Sequence, residues 1–287
     1  IYSNDLGDKA LTRSRVADKI REALRGNQLR LFYQPVVDLS SLRVVGAEAL
    51  LRLQCPEDGL MQPMEFISVA EETGLMGPVG DWVVGEAISN LQHEHAFAAE
   101  TGRYLAINLS PRQLDRAFTV DLVRRLKNAP ELAKALVFEI TETALLENEE
   151  RFSRFFADIR ETGARIALDD FGTGYSSLGH ISRYPVDFIK LDRSFARQLS
   201  HGNEAEALRA RALIKATATL SAELGIGIIA EGIEDMATLE QLRSYGIGFG
   251  QGYLFSSPLP ASAFRDWAQA FSGNGSTEQS ADHIRAA

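Results

Sequence analysis

The chain of 287 residues is 45% hydrophobic and 24% charged, enough to bury a full-sized core and within the range of one large α/β barrel. Its formal charge of −9 makes the surface repel polyanions, which excludes bulk DNA or RNA as a partner and leaves only a small nucleotide-like ligand gripped by local cations or metal. Cys55 is the only cysteine, which excludes an internal disulfide framework and a thiolate metal cluster and fits a reducing, cytoplasmic setting.

Residues 1–12 are polar and patternless. Val16, Ile20, Ala23 and Leu24 then recur at helical spacing until Gly26-Asn27 stops the run, so residues 1–28 read as an N-terminal segment with a lead-in helix. Leu29–Val37 is the first strand. Only the short stretch Asp38–Arg43 separates it from the next apolar run, Val44–Glu48. That is too short for a crossover helix, so the first strand is expected antiparallel to the second. In the loop region further on, Gln54, Pro56 and Glu57 around Cys55 favour a turn over a reactive thiol.

Short β-branched runs then alternate with longer helical patterns: Tyr104–Asn108, Leu136–Ile140, Ile166–Asp169, Phe188–Leu191, Ile228–Glu231 and Gly250–Tyr253. Continuous apolar strands separated by helical segments imply parallel pairing through right-handed crossovers. The whole is α/β, a (β/α)8 TIM-like barrel over residues 29–271 with an antiparallel first strand. The nearest approach to a membrane span is the five-residue run from Ile226 to Ala230, far short of the roughly 18 residues required. No membrane contact by this segment is expected. After Trp267 the composition turns to Ser, Gly and Asn, and residues 272–287 read as a disordered tail. The chain opens on Ile1 without a signal segment, which reads as a piece of a longer protein whose parent could be membrane-anchored.

Each later strand ends in a polar residue. Glu48, Asn108, Glu139, Asp169 with Asp170, Lys190, Glu231 and Gln251 all follow several apolar residues, which places them at the C-terminal rim where barrels of this kind carry their chemistry. So many carboxylates crowd one another and lose water, so something positive must compensate. Carboxylate and amide oxygens suit hard divalent ions such as Mg²⁺ or Mn²⁺, and none of the histidines sits at a strand end. The Asp169-Asp170 pair is placed to bridge two ions. Taken singly, each acid has another reading, as a cap or a loop ion pair. Lys190 either pairs structurally with a neighbouring acid or orients a water, Asn108 is also a candidate cap for the following helix, and Gln251 for tying down a Gly-rich turn.

Two glycine patterns do not carry the chemistry their letters suggest. Gly225 to Ala230 satisfies G-x-G-x-x-A but precedes a strand, whereas a dinucleotide fingerprint follows one. The segment from Phe171 to Ser177 lacks a P-loop lysine and follows the tandem aspartates directly, so it reads as a mobile loop beside the metals.

These residues also resemble a family, the EAL-domain phosphodiesterases of bacterial cyclic di-GMP signalling. The signature is Glu48-Ala49-Leu50-Leu51-Arg52. Tyr33-Gln34-Pro35, Asn108-Leu109-Ser110, Glu139-Ile140-Thr141-Glu142, Asp169 to Gly174, Ile189-Lys190-Leu191-Asp192, Glu231-Gly232-Ile233-Glu234 and Gln251-Gly252-Tyr253 extend the match from about Leu29 to Leu259. The resemblance implies a two-metal hydrolase that opens cyclic di-GMP to linear 5′-pGpG. It puts Glu48, Asn108, Glu139 and Asp169 on one ion and Asp169 with Asp170 on the second. It places Lys190 and Glu231 on or near the attacking water and has Glu142 hold the loop after the aspartates. Arg52 would contact a substrate phosphate, with Gln34, Leu51, Asp192, Glu234 and Gln251 lining the substrate region. Leu53 stands where a tryptophan is common, and Ser256-Ser257-Pro258 where a glycine is frequent. Neither departure removes a metal ligand. The resemblance further implies a homodimer and an upstream sensory or GGDEF domain. The alternative it leaves is a catalytically weak cyclic di-GMP receptor module.

Overall fold

The computed structural model describes residues 2–93, 102–147, 149–172 and 184–273, with backbone alone for residues 2–9, 146, 147, 149, 272 and 273. Ten strands form one sheet: β1 (Leu29–Asp38), β2 (Arg43–Cys55), β3 (Gly59–Met61), β4 (Tyr104–Asn108), β5 (Leu136–Thr141), β6 (Arg165–Phe171), β7 (Phe188–Leu191), β8 (Gly227–Ala230), β9 (Phe249–Gly250) and β10 (Leu259–Pro260). Eight of them close a ring, β1-β2-β4-β5-β6-β7-β8-β9 and back to β1, while β3 and β10 extend β2 and β1 beyond it.

As the short connection requires, β1 runs antiparallel to β2, and it is also antiparallel to β9; every pairing from β2 and β4 round to β9 is parallel. Asp38 makes the turn between β1 and β2: its Oδ1 accepts from the backbone N–H of Ser40 at 3.0 Å and of Ser41 at 2.8 Å and from both hydroxyls. Burial would raise this carboxyl, but the four donors hold it below its ordinary value. Leu42 then turns through φ +53°.

The lead-in helix α1 (Tyr2–Gly26) starts well before the apolar spacing at Val16, so the polar opening is helical too. Ala17, Ile20 and Ala23 enter the core. The other helices are α2 (Ile67–Glu72), α3 (Met76–His93), α4 (Arg116–Lys127), α5 (Pro130–Lys134), α6 (Glu142–Glu147), α7 (Glu149–Arg160), α8 (Arg193–His201), α9 (Glu204–Leu224), α10 (Met236–Ser244) and α11 (Ala261–Gly273). The tail expected from residue 272 lies, past Gly273, outside the described residues. Among the described residues, no helix is long and apolar enough to cross a membrane.

The strands bury two cores. One large cluster fills the space between strands and helices. A second fills the barrel itself with Val36, Tyr104, Ala106, Val137, Ala167, Phe188 and Ile229. Arg165, at the start of β6, lays its guanidinium over the rings of Tyr104 at 5.0 Å and Phe188 at 5.4 Å, so a cation stacked on aromatics closes the floor. Gly46 is small because Tyr104 fills its place: a Cβ there would sit 2.7 Å from the ring.

Candidate active site

Strand side chains alternate between the two faces, so the residue two positions beyond each barrel-filling side chain points into the barrel one layer higher. Counting on from the inner cluster gives Asn108 above Ala106, Glu139 above Val137, Asp169 above Ala167, Lys190 above Phe188 and Glu231 above Ile229. Glu48 stands above Gly46, and Gln251 above Phe249. On β1, which runs the other way, Gln34 lies beyond Val36, directly across from Glu48. The polar layer is therefore the same ring of positions as the apolar floor, shifted by one pleat.

Lys190 is its centre. It is 1% exposed, and its ammonium lies 2.8 Å from Glu139 Oε2, 2.8 Å from Glu231 Oε1, 3.2 Å from Glu48 Oε2 and 3.2 Å from Asp169 Oδ1. Burial would lower its pKa, but the carboxylates overcome this and hold it well above the ordinary value. Glu48 also accepts from Asn108 Nδ2 at 2.6 Å and from Gln251 Nε2 at 2.8 Å. Burial opposes its charge, yet Lys190 and these two carboxamides keep it below the usual range. Glu139 has fewer donors. Burial, then Glu48, push it well above the usual range. Burial likewise pushes Glu231 up to about 7, with Asp169 and Glu48 adding repulsion, and burial, then repulsion from the Asp169 charge, raises Asp170.

Five carboxyl groups, Glu48, Glu139, Asp169, Asp170 and Glu231, thus face one lysine. The negative surplus presses protons onto some of them, and divalent cations would relieve the same surplus. Asp169, Asp170 and Glu231 present oxygens that all lie within 4.8 Å of one another. Gln251 Oε1, buried, has no hydrogen-bond partner among the described residues and adds an amide oxygen to the same surroundings. An all-oxygen donor set of this kind fits Mg²⁺ or Mn²⁺. Asp170 holds φ at +54°, a left-handed backbone that aspartate tolerates better than most residues, and its N–H donates to Asp169 Oδ1 at 2.9 Å.

Glu142, first residue of α6, accepts from the Gly172 N–H at 3.3 Å, so it touches the start of the segment after the tandem aspartates. Gly172 has φ +95°, and a Cβ there would collide with the Phe195 ring. Of the expected loop, only Phe171 and Gly172 fall within the described residues.

The remaining sequence candidates divide. Arg52 is buried on β2, donates to the Leu51 carbonyl at 2.8 Å and lies 5.5 Å from the centre of the Phe32 ring. Gln34, Glu234 and Gln251 line a recess of about 160 Å³ with Arg193 and Tyr253, two neighbours the sequence reading did not single out; Tyr253 ends a motif it quoted, and Arg193 directly follows another. Leu51, with Ala49 and Leu53, packs outward into the strand–helix core, so above the rim it offers backbone only. Asp192 caps α8, its side chain accepting from the Ser194 N–H at 2.9 Å. Larger hollows of about 450 and 890 Å³ lie beside α4, away from the barrel mouth, and their lining includes the exposed Val120.

A closed (β/α)8-type barrel with an antiparallel first strand carries a ring of acids round a buried lysine at its C-terminal rim, the end at which barrels of this class place their active sites. The chain belongs to the EAL domain family, whose model matches residues 17–258. It is 36% identical over 271 residues to the cyclic di-GMP phosphodiesterase NbdA of Pseudomonas aeruginosa, covering 94% of this chain and 34% of that protein. It is 37% identical over 251 residues to the cyclic di-GMP phosphodiesterase PdeR of Escherichia coli, covering 86% and 36%. The chain therefore spans about a third of these curated relatives. Among solved structures it is similar to the PaMucR phosphodiesterase in complex with c-di-GMP, at 35% identity and a TM-score of 0.77 over 87% of this chain and 99% of that one.

Proposed function

We propose that this chain hydrolyses cyclic di-GMP to linear 5′-pGpG, using two divalent ions, Mg²⁺ or Mn²⁺. The observation that carries the proposal is the set of four carboxylates around Lys190, with Asp170 beside two of them, supported by relatives named as cyclic di-GMP phosphodiesterases. Glu48, Asn108, Glu139 and Asp169 would hold one ion, and Asp169 with Asp170 the other. Bound ions of this class lower the pKa of water and stabilise charge that develops on a phosphoryl group.

The chain's own residues supply the rest. Lys190, kept charged by its four neighbours, fixes Glu48, Glu139, Asp169 and Glu231 in one geometry and counters charge where a phosphate would approach. Glu231, whose Oε1 lies 2.8 Å from the Lys190 ammonium at the same rim, would take a proton from the attacking water. Arg52 matches a phosphate with its guanidinium fork, and Gln34, Glu234 and Gln251 line the recess beside it. Glu142 holds the turn after Asp170. A homodimer, a cytoplasmic setting and an upstream sensory or GGDEF domain belong to the same reading. Incubating the purified chain with cyclic di-GMP and Mg²⁺ or Mn²⁺ and separating the products by chromatography tests it. Linear pGpG is the expected product; bound but uncleaved ligand would make the chain a receptor.

A further inference from the structure

Asn108 is the least enclosed residue of the polar ring: it is exposed at the last position of β4, and its side chain meets the ring through a 2.6 Å bond to Glu48. Its orientation must come from the turn that follows it. That turn is held from beneath by α2 and α3. Ser110, two residues on, donates its hydroxyl to Glu71 Oε1 on α2 at 2.8 Å and accepts on the same oxygen from the Arg112 N–H at 3.2 Å. The Ser110 N–H donates to Gln113 Oε1 at 3.3 Å.

Gln113 is 3% exposed, a poor place for a carboxamide unless it has a task. Its room comes from Gly80 on α3, where a Cβ would sit 2.5–2.6 Å from the three end atoms of the Gln113 side chain. Two separate features, a carboxylate on α2 and a buried carboxamide beneath a glycine of α3, therefore grip one serine.

We propose that Glu71 is a positioning residue for the candidate metal site: through Ser110 it sets the turn after β4 and so the direction in which Asn108 presents its carboxamide, with Gln113 as the second grip. This rests on the metal-site reading above. Outer partners of ligands shift metal affinity by about ten- to a hundredfold when removed, and a carboxylate that accepts one hydroxyl proton is replaceable by any oxygen of the same reach.

The test uses the whole chain and five variants, Glu71→Ala, Glu71→Gln, Ser110→Ala, Gly80→Ala and the double variant Glu71→Ala with Ser110→Ala. Mn²⁺ binding is measured by calorimetry, and the Asn108 side-chain amide resonances by NMR, with thermal melts as control. Glu71→Ala and Ser110→Ala should each weaken Mn²⁺ binding by roughly tenfold, and the double variant no further than Ser110→Ala alone, since Ser110→Ala already removes the contact to Glu71 along with that to the Arg112 N–H. Glu71→Gln should stay within about twofold of the parent because its amide oxygen still accepts. Gly80→Ala should fold, push the Gln113 carboxamide aside and move the Asn108 resonances. Unmoved Asn108 resonances in Glu71→Ala, or equal losses in Glu71→Gln and Glu71→Ala, would overturn the proposal. A parent chain that takes up no Mn²⁺ would sink the metal reading alone, and the Asn108 resonances would then decide the positioning role by themselves.

Discussion

The floor and the rim of the barrel use the same strands to opposite ends. Two positions apart on β7, Phe188 stacks on Tyr104 with ring centres 5.6 Å apart while Lys190 gathers four carboxylates. The floor is close-packed aromatic and aliphatic surface, which stabilises the fold by roughly 25 cal/mol per Å² buried. The rim sets buried like charges against one another, which lowers stability for the sake of a preformed site. Substitutions at the two levels should therefore separate activity from stability.

The largest separation is expected at Asp169. Asp169→Asn should abolish cyclic di-GMP hydrolysis, because it removes charge from a group placed to serve both ions, while the melting temperature without added metal stays level or rises as repulsion is relieved. Near-normal turnover at saturating Mg²⁺ by a folded Asp169→Asn protein would refute the two-ion assignment. Glu142→Ala comes next: losing its grip on Gly172 should cut turnover by roughly ten- to a hundredfold and raise the Mg²⁺ required, read from turnover against Mg²⁺ concentration. Superimposable curves for variant and parent would remove Glu142 from the mechanism.

Arg52→Ala probes the rim above the acids. Losing a charge-assisted contact costs about 1.5–3 kcal/mol, or roughly ten- to a hundredfold in affinity, so cyclic di-GMP binding should weaken while metal binding by calorimetry stays close to the parent's. The smallest effect is expected at the floor. The Tyr104 hydroxyl is buried, has no hydrogen-bond partner among the described residues and is pushed far above its ordinary pKa by burial. Tyr104→Phe should leave turnover unchanged and raise stability by about 1 kcal/mol, seen in a urea melt; a clear loss of stability would mean that the hydroxyl is satisfied.

The ring of site residues was legible because the two-residue strand period and the C-terminal rim rule act on short sequence windows: Glu48, Asn108, Glu139, Asp169, Lys190, Glu231 and Gln251 each announce themselves after an apolar run. The antiparallel first strand followed from a connection too short to cross over. What escaped needed contacts between distant segments. Glu71 reaches Ser110 across 39 positions, and nothing near either residue advertises the other. The α1 start at Tyr2 escaped because its first turns lack an apolar stripe. The final strand, read as Gly250–Tyr253, stops at Gly250 because the chain turns to lie against Ile233, whose N–H donates to the Gln251 carbonyl at 3.1 Å. The capping role of Asp192 was available in principle, since an aspartate before Arg-Ser at a helix start is an N-cap signal.

The closure of the barrel adds a mechanical asymmetry. β1 meets β2 along ten residue pairs but β9 along only two, Val37 with Gly250 and Asp38 with Phe249. The first pairing is local in sequence, whereas the second joins opposite ends of the barrel and must wait for everything between them, so the ring is zipped last at a two-pair seam, as short as the one between β8 and β9. A seam so short is where a closed sheet opens first. Gln251 begins immediately past β9, and the carboxamide that links Glu48 to Glu231 therefore hangs from a strand held on each side by only two residue pairs.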